Sequence, residues 1–142
     1  MRNHHTQHMK DFAFIDLFAG CGGLSLGMEQ AGFTPVFANE IWDVAAETYR
    51  RNRNLSERQV FVGDIKYLIE HLADFPIPKN VTLVCGGPPC QGFSMANRQR
   101  VIDDPRNHLY KSYIEFLSKV RPRCFVMENV RGMASRIDEI VD

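Results

Sequence analysis

Residues 12–32 read FAFIDLFAGCGGLSLGMEQAG, and the order of residue types in this stretch decides the fold class. Phe12, Phe14, Ile15, Leu17 and Phe18 predict a first strand that runs directly into Ala19-Gly20-Cys21-Gly22-Gly23. A helix is expected to start there, with Leu24, Leu26, Met28 and Ala31 as its apolar positions and Gly32 as its stop. Strand, glycine turn and helix in succession open a nucleotide-type βαβ unit. Glycines let a ligand approach the backbone, and a helix start offers N–H donors without partners.

The chain that follows extends the pattern. Thr34 to Ala38 predicts a second strand ending at Asn39-Glu40, and an acid there is placed to accept from ribose hydroxyls. Together with the glycine turn, Glu40 points to an adenosine-bearing cofactor, with NAD, FAD and S-adenosylmethionine all compatible; the ordinary alternative is a glutamate capping the next helix. That helix is expected over 41–53, with Val44, Ala45, Thr48 and Tyr49 on one side. Arg50, Arg51 and Arg53 fall at its end and read as a solvated cluster complementing the helix dipole. Val60-Phe61-Val62 predicts a third strand. Asp64 after it suits either an adenine amino group or the N-cap of a helix around Tyr67 to Leu72.

The run Val81-Thr82-Leu83-Val84-Cys85 reads as a buried strand leading into GGPPCQGFS at 86–94. Two glycines and two prolines make a stiff elbow that presents Cys90, where a chain needing only packing would not require one. A free thiol titrates near ~8.5, so a nucleophilic Cys90 needs a neighbour or substrate that draws out the thiolate. Residues 95–107 are polar and aperiodic, which predicts a long surface loop of the kind that covers active sites. From His108, Leu109, Tyr113, Phe116, Leu117 and Val120 repeat at helical spacing up to Pro122. Cys124-Phe125-Val126-Met127 predicts a fifth strand with Glu128 at its end, facing the same crevice as Cys90 if both strands belong to one parallel sheet.

Composition narrows the function classes. The 142 residues carry 17 Lys+Arg against 17 Asp+Glu, so no overall basic field advertises a nucleic-acid or membrane partner. Four cysteines, Cys21, Cys85, Cys90 and Cys124, show no CxxC spacing, which argues against a zinc site or a disulfide framework and for a reducing, cytoplasmic setting. No apolar run reaches membrane-span length, and the N-terminus lacks the apolar core of a signal peptide. Residues 1–10 are polar, and their three histidines read as a solvated extension; residues 11–142 form one domain.

With these residues together, the chain resembles the N-terminal part of a DNA cytosine-5 methyltransferase of the bacterial restriction-modification type. FIDLFAGCGGLSLG at 14–27 resembles the family's cofactor motif, NE at 39–40 and GDI at 63–65 its adenosine contacts, GGPPCQGFS its nucleophile motif and MENV at 127–130 its acid motif. Five ordered matches span nearly the whole chain. The resemblance implies a doubly wound, mostly parallel α/β sheet of the S-adenosylmethionine-dependent, Rossmann-like methyltransferase type. It implies Cys90 as nucleophile, Glu128 as the acid at the cytosine ring, Pro89 between methyl donor and base, and Gln91 and Asn129 beside them. For the cofactor, S-adenosylmethionine, it implies Phe18 and Ile41 on the adenine faces, Glu40 on the ribose, Asp64 and Ile65 at the adenine edge, and Gly20, Gly22, Gly23 and Leu24 near the methionine part. Ser94, Arg98 and Arg106 are expected to meet double-stranded DNA.

Two departures stand out. Trp42 occupies a position where many members carry an acid. After Asp142 nothing corresponds to the family's arginine-rich strand motif, its target-recognition region or its final cofactor motif, so a C-terminally truncated chain is expected, inactive alone or completed by a C-terminal partner polypeptide. The alternatives are a cytosine-5 transfer-RNA methyltransferase, which shares Pro-Pro-Cys-Gln, and a non-catalytic subunit of a split enzyme. An NAD-dependent oxidoreductase would leave GGPPCQ and MENV without a task.

Overall fold

The computed structural model describes residues 12–89 and 109–129. In chain order they form β1 (Ala13–Leu17), α1 (Gly23–Gln30), β2 (Thr34–Glu40), α2 (Asp43–Arg53), β3 (Val60–Val62), α3 (Ile65–Glu70), β4 (Leu83–Gly86), α4 (Leu109–Val120) and β5 (Cys124–Met127), with short 3-10 turns at Glu57–Gln59 and Leu72–Asp74. The strands make one sheet in the order β3-β2-β1-β4-β5, every pairing parallel. Sequence order runs outward from β1 in both directions, so the switch point where ligands bind in such sheets lies between the carboxyl ends of β1 and β4. No helix among the described residues is long and apolar enough to cross a membrane.

Strand alternation assigns the helices to faces. Ile15, Leu17, Phe37 and Val84 point to the face covered by α3 and α4, where they pack with Ile65, Leu68, Ile69, Tyr113 and Phe116. Phe14, Leu83 and Cys85 point the other way, toward Leu24, Met28 and Phe33. Ala38 and Val60 share that second face with Ala46 and Tyr49 of α2. Tyr113 adds a polar tie: its hydroxyl lies 3.0 Å from Val84 O and 3.1 Å from Val126 O, bracing β4 against β5. Pro35 has no N–H to give the ladder, and the β1–β2 register slips directly after it, Phe14 opposite Pro35 but Ile15 opposite Phe37.

Several boundaries differ from the sequence expectation. β2 runs to Glu40, two residues beyond Ala38. The following helix starts at Asp43 rather than at 41, because the Glu40 carboxylate accepts from the Ile41 and Trp42 amides at 2.8 and 2.9 Å and holds them outside the helix. Starting there, α2 buries Ala45, Ala46 and Tyr49, and leaves Val44 59% exposed. In α1 the residue fully buried is Ser25, while Leu26 is exposed. Gly32 does stop α1: at φ 93° it closes a Schellman turn, its N–H donating to Glu29 O and that of Phe33 to Met28 O. His108 and the expected 95–107 loop lie outside the described residues.

Candidate functional site

Two cavities open at the carboxyl ends of the strands. The first, about 440 Å³, is lined by Phe18, Asn39, Glu40, Ile41, Gly63, Asp64, Ile65, Lys66, Gly87, Pro89 and Leu109. The second, about 400 Å³, is lined by Asp16, Phe18, Ala19, Leu24, Gly87 and Glu128. Phe18 and Gly87 belong to both, so the cavities are neighbours. Phe18 holds φ 56°, a left-handed conformation costly for an aromatic residue, and thereby turns the chain off β1 with its side chain at the boundary.

The glycine turn is built as its composition demands. Gly20 and Gly22 have φ 54° and 91°, and α1 begins at Gly23 with Gly22 as an N-cap that has no side chain to offer. The turn is fastened from β2: Gly20 N–H donates to Glu40 Oε2 at 2.7 Å and Ala19 N–H to Asn39 O at 3.0 Å. Asn39, buried, donates through Nδ2 to Phe61 O and Gly63 O, so it ties the ends of β2 and β3 together. Glu40 thus holds three backbone amides while lining the first cavity. Asp64 lines the same cavity and also caps α3, accepting from Lys66 N–H at 2.8 Å. The N-cap reading of that aspartate is the one observed, one oxygen being engaged by the helix.

Beneath the turn lies a polar network that sequence reasoning missed. Asp16 is 1% exposed and accepts from Ser25 Oγ at 2.5 Å, and Ser25 Oγ lies 2.6 Å from the Tyr49 hydroxyl. Burial lifts the Asp16 carboxyl from 3.8 to about 6, hydrogen bonds from Ser25 and Cys85 pulling the other way. Burial also pushes the Cys85 thiol and the Tyr49 phenol up, the negative Asp16 adding to it. Arg53 closes the network with a side chain only 5% exposed, against the expectation of a solvated helix end. Arg50 and Arg51 do behave that way, pairing with Glu47, whose carboxyl they hold down at about 2.

On the other flank, Glu128 N–H donates to Gly86 O at 2.9 Å, continuing the β4–β5 ladder past the strand ends. Gly86 is pressed so closely on β1 that an added Cβ would lie 2.5 Å from Leu17 O. An added Cβ on Gly87 would lie 3.0 Å from Glu128 Oε2, and Asn129 Nδ2 donates to Pro88 O at 3.0 Å. The end of β5 is therefore laid against the Gly-Gly-Pro-Pro elbow. Cys90, Gln91, Ser94, Arg98 and Arg106 lie outside the described residues. The described candidates gather at the two cavities: Phe18, Leu24, Glu40, Ile41, Asp64, Ile65, Pro89 and Glu128 in their walls, and Gly20, Gly22, Gly23 and Asn129 in the turns behind them. No cluster of metal-ligating side chains occurs among the described residues.

A parallel sheet switching at β1/β4, a glycine turn after β1 and an acid ending β2 define the Rossmann-like class of nucleotide-binding α/β folds. The comparisons sharpen the class to a family. Residues 12–140 match the C-5 cytosine-specific DNA methylase family, and the chain belongs to it. It is 40% identical over 129 residues to the Type II methyltransferase M.Sau96I of Staphylococcus aureus, covering 91% of this chain and 29% of that protein. It is 43% identical over 120 residues to the Type II methyltransferase M1.HphI of Haemophilus parahaemolyticus, covering 82% and 32%. Among solved structures, a putative DNA modification methyltransferase encoded within an E. coli prophage superposes with a TM-score of 0.68 at 33% identity, covering 92% of this chain and 37% of that one. The chain thus spans about a third of the length of these relatives.

Proposed function

We propose that this chain supplies the cofactor site and the catalytic pair of a DNA cytosine-5 methyltransferase. The observation that carries the reading is the placement of Glu128 and Asn129 against the elbow that leads into Cys90. An acid just past β5 then stands against the chain that leads to Cys90, beside a cavity whose walls suit an adenosine.

The first cavity fits such a group by its donor set. Phe18, Ile41 and Ile65 offer apolar surface for an adenine, Glu40 a carboxylate for ribose hydroxyls and Asp64 an acceptor at the rim. Gly20 and Gly23 leave the backbone open, since a Cβ at either would meet no atom within 4 Å. In the second cavity the Asp16 carboxylate suits the cationic methionine part, and Glu128 is left for the base. S-adenosylmethionine bound here supplies an electrophilic methyl group.

The remaining chemistry belongs to the chain and the base. Carbon 5 of cytosine is too weak a nucleophile unaided, so the Cys90 thiolate adds to carbon 6 and makes carbon 5 enamine-like. Glu128 gives a proton or hydrogen bond to ring nitrogen 3 as the thiolate adds, preventing charge from accumulating on the ring. After methylation, loss of the carbon-5 proton and expulsion of Cys90 restore the aromatic base. The base must leave the duplex to meet these groups, at roughly a few kcal/mol, as holds for methyltransferases in general.

The test is trapping with duplex DNA carrying 5-fluorocytosine, which lacks the proton whose loss releases the enzyme. The full-length protein with S-adenosylmethionine should give a covalent adduct on a denaturing gel, and Cys90→Ser should give none. An adduct on transfer RNA but not on duplex DNA would move the substrate to RNA, and no adduct on either would reject the reading.

A further inference from the structure

Behind the glycine turn lies the buried side chain of Arg53. Gly22 O is the first carbonyl of α1 and accepts from Leu26 N–H at 3.0 Å. The same oxygen accepts from Arg53 Nη2 at 2.7 Å, across 31 positions of sequence. Arg53 is itself held from two sides, by Glu29 Oε2 at 3.0 Å and by the face of Tyr49, 4.2 Å below its guanidinium carbon. An added Cβ on Gly22 would lie 2.4 Å from the guanidinium, so glycine there leaves room for the arginine as well as allowing φ 91°. Arg53 Nε is buried and meets no acceptor among the described residues, a cost retained in a residue that packing alone would not select.

We propose that Arg53 is the positioning residue of the cofactor turn: braced by Glu29 and Tyr49, it fixes the Gly22 carbonyl and with it the direction of the N–H groups that open α1. A trans peptide unit is planar, its C=O and N–H pointing opposite ways. Anchoring Gly22 O inward therefore turns Gly23 N–H outward. With glycine on both sides of this peptide and no side-chain cap, Arg53 adds a side-chain restraint to the Leu26 N–H bond that the same oxygen accepts. Because Glu29 neutralises the guanidinium, the effect is one of geometry rather than of long-range field.

The inference rests on S-adenosylmethionine being the ligand, and the experiment separates the two. On the full-length protein, calorimetric affinity for S-adenosylmethionine, cofactor KM, kcat and the thermal midpoint are measured for wild type, Arg53→Met, Arg53→Lys and Glu29→Gln, well below each midpoint. Arg53→Met should weaken cofactor binding about tenfold, ~1.4 kcal/mol, with kcat at saturating cofactor within about twofold. Arg53→Lys should recover part of the affinity, having a donor but no fork. Folded variants with lowered midpoints but wild-type affinity would reduce Arg53 to packing and overturn the proposal. If Arg53→Met does not fold, unchanged affinity in both Arg53→Lys and Glu29→Gln would overturn it equally. A wild type that binds no S-adenosylmethionine would overturn the cofactor reading and this inference with it.

Discussion

The two flanks of the crevice are built to different standards. On the β1–β2 side, the turn is secured by Glu40, Asn39 and Arg53, and Asp16, Ser25 and Tyr49 fill the space beneath it with satisfied polar contacts. On the β4–β5 side, Glu128 is exposed and so are Cys124, Phe125 and Val126 of β5. Cofactor binding needs donors fixed in advance, since every group immobilised beforehand is one that the ligand need not order. A catalytic acid acts on a substrate that must first arrive, so its desolvation is deferred until the base covers it. Under the function proposed above the difference separates binding from chemistry, and substitutions on each flank should separate the same way.

The largest effect belongs to the chemical flank. Cys90→Ser should lower methyl transfer on the order of ten-thousand-fold and leave S-adenosylmethionine affinity unchanged, measured by single-turnover assay and calorimetry. Next is Glu128→Gln, for which a loss of about a hundredfold to a thousandfold in kcat is expected, again without change in cofactor affinity. A fall in affinity for either variant would merge the two flanks and break the comparison. On the other flank, Glu40→Ala removes an acceptor shared by Gly20, Ile41 and Trp42 amides. It should cost about 2 kcal/mol in cofactor binding, some thirtyfold, and lower the thermal midpoint as well. Retained affinity would show that Glu40 serves the loops and not the ligand.

This division also explains what was legible in the sequence. Features that recur locally could be read directly: alternating apolar residues in β1 and β4, glycines at the turn, an acid ending β2, Asp64 before α3. The network beneath the turn could not, because its meaning is spread over distant positions. Arg53 stands in the last turn of a helix beside Arg50 and Arg51, where the dipole favours cations; only the missing side chain at Gly22, 31 positions away, makes room for it. Ser25 reads as a polar interruption of an apolar face until Asp16 and Tyr49 are seen to meet it. Val44 is exposed on α2, whose buried face is made by Ala45, Ala46 and Tyr49. An intervening hint existed in Asp16 itself, a carboxylate in the middle of an apolar strand, which must be paired or protonated once buried.

Asp16 yields the finest probe of the binding flank. Its carboxyl is raised from 3.8 to about 6, chiefly by burial. Between those values the native state holds a proton that the unfolded chain has lost, so stability is highest at low pH and falls as pH rises through about 6, by roughly 3 kcal/mol in all. Asp16→Asn should remove that decline. A bound cation reverses the balance, because it favours the charged carboxylate. If the cationic methionine part sits against Asp16 in the second cavity, cofactor affinity should increase about tenfold per pH step below 6 and level off above it. Asp16→Asn should flatten the profile at the weaker value. An affinity independent of pH between 5 and 7 in the wild type would move the cation away from Asp16 and leave this carboxylate as a support of the turn alone.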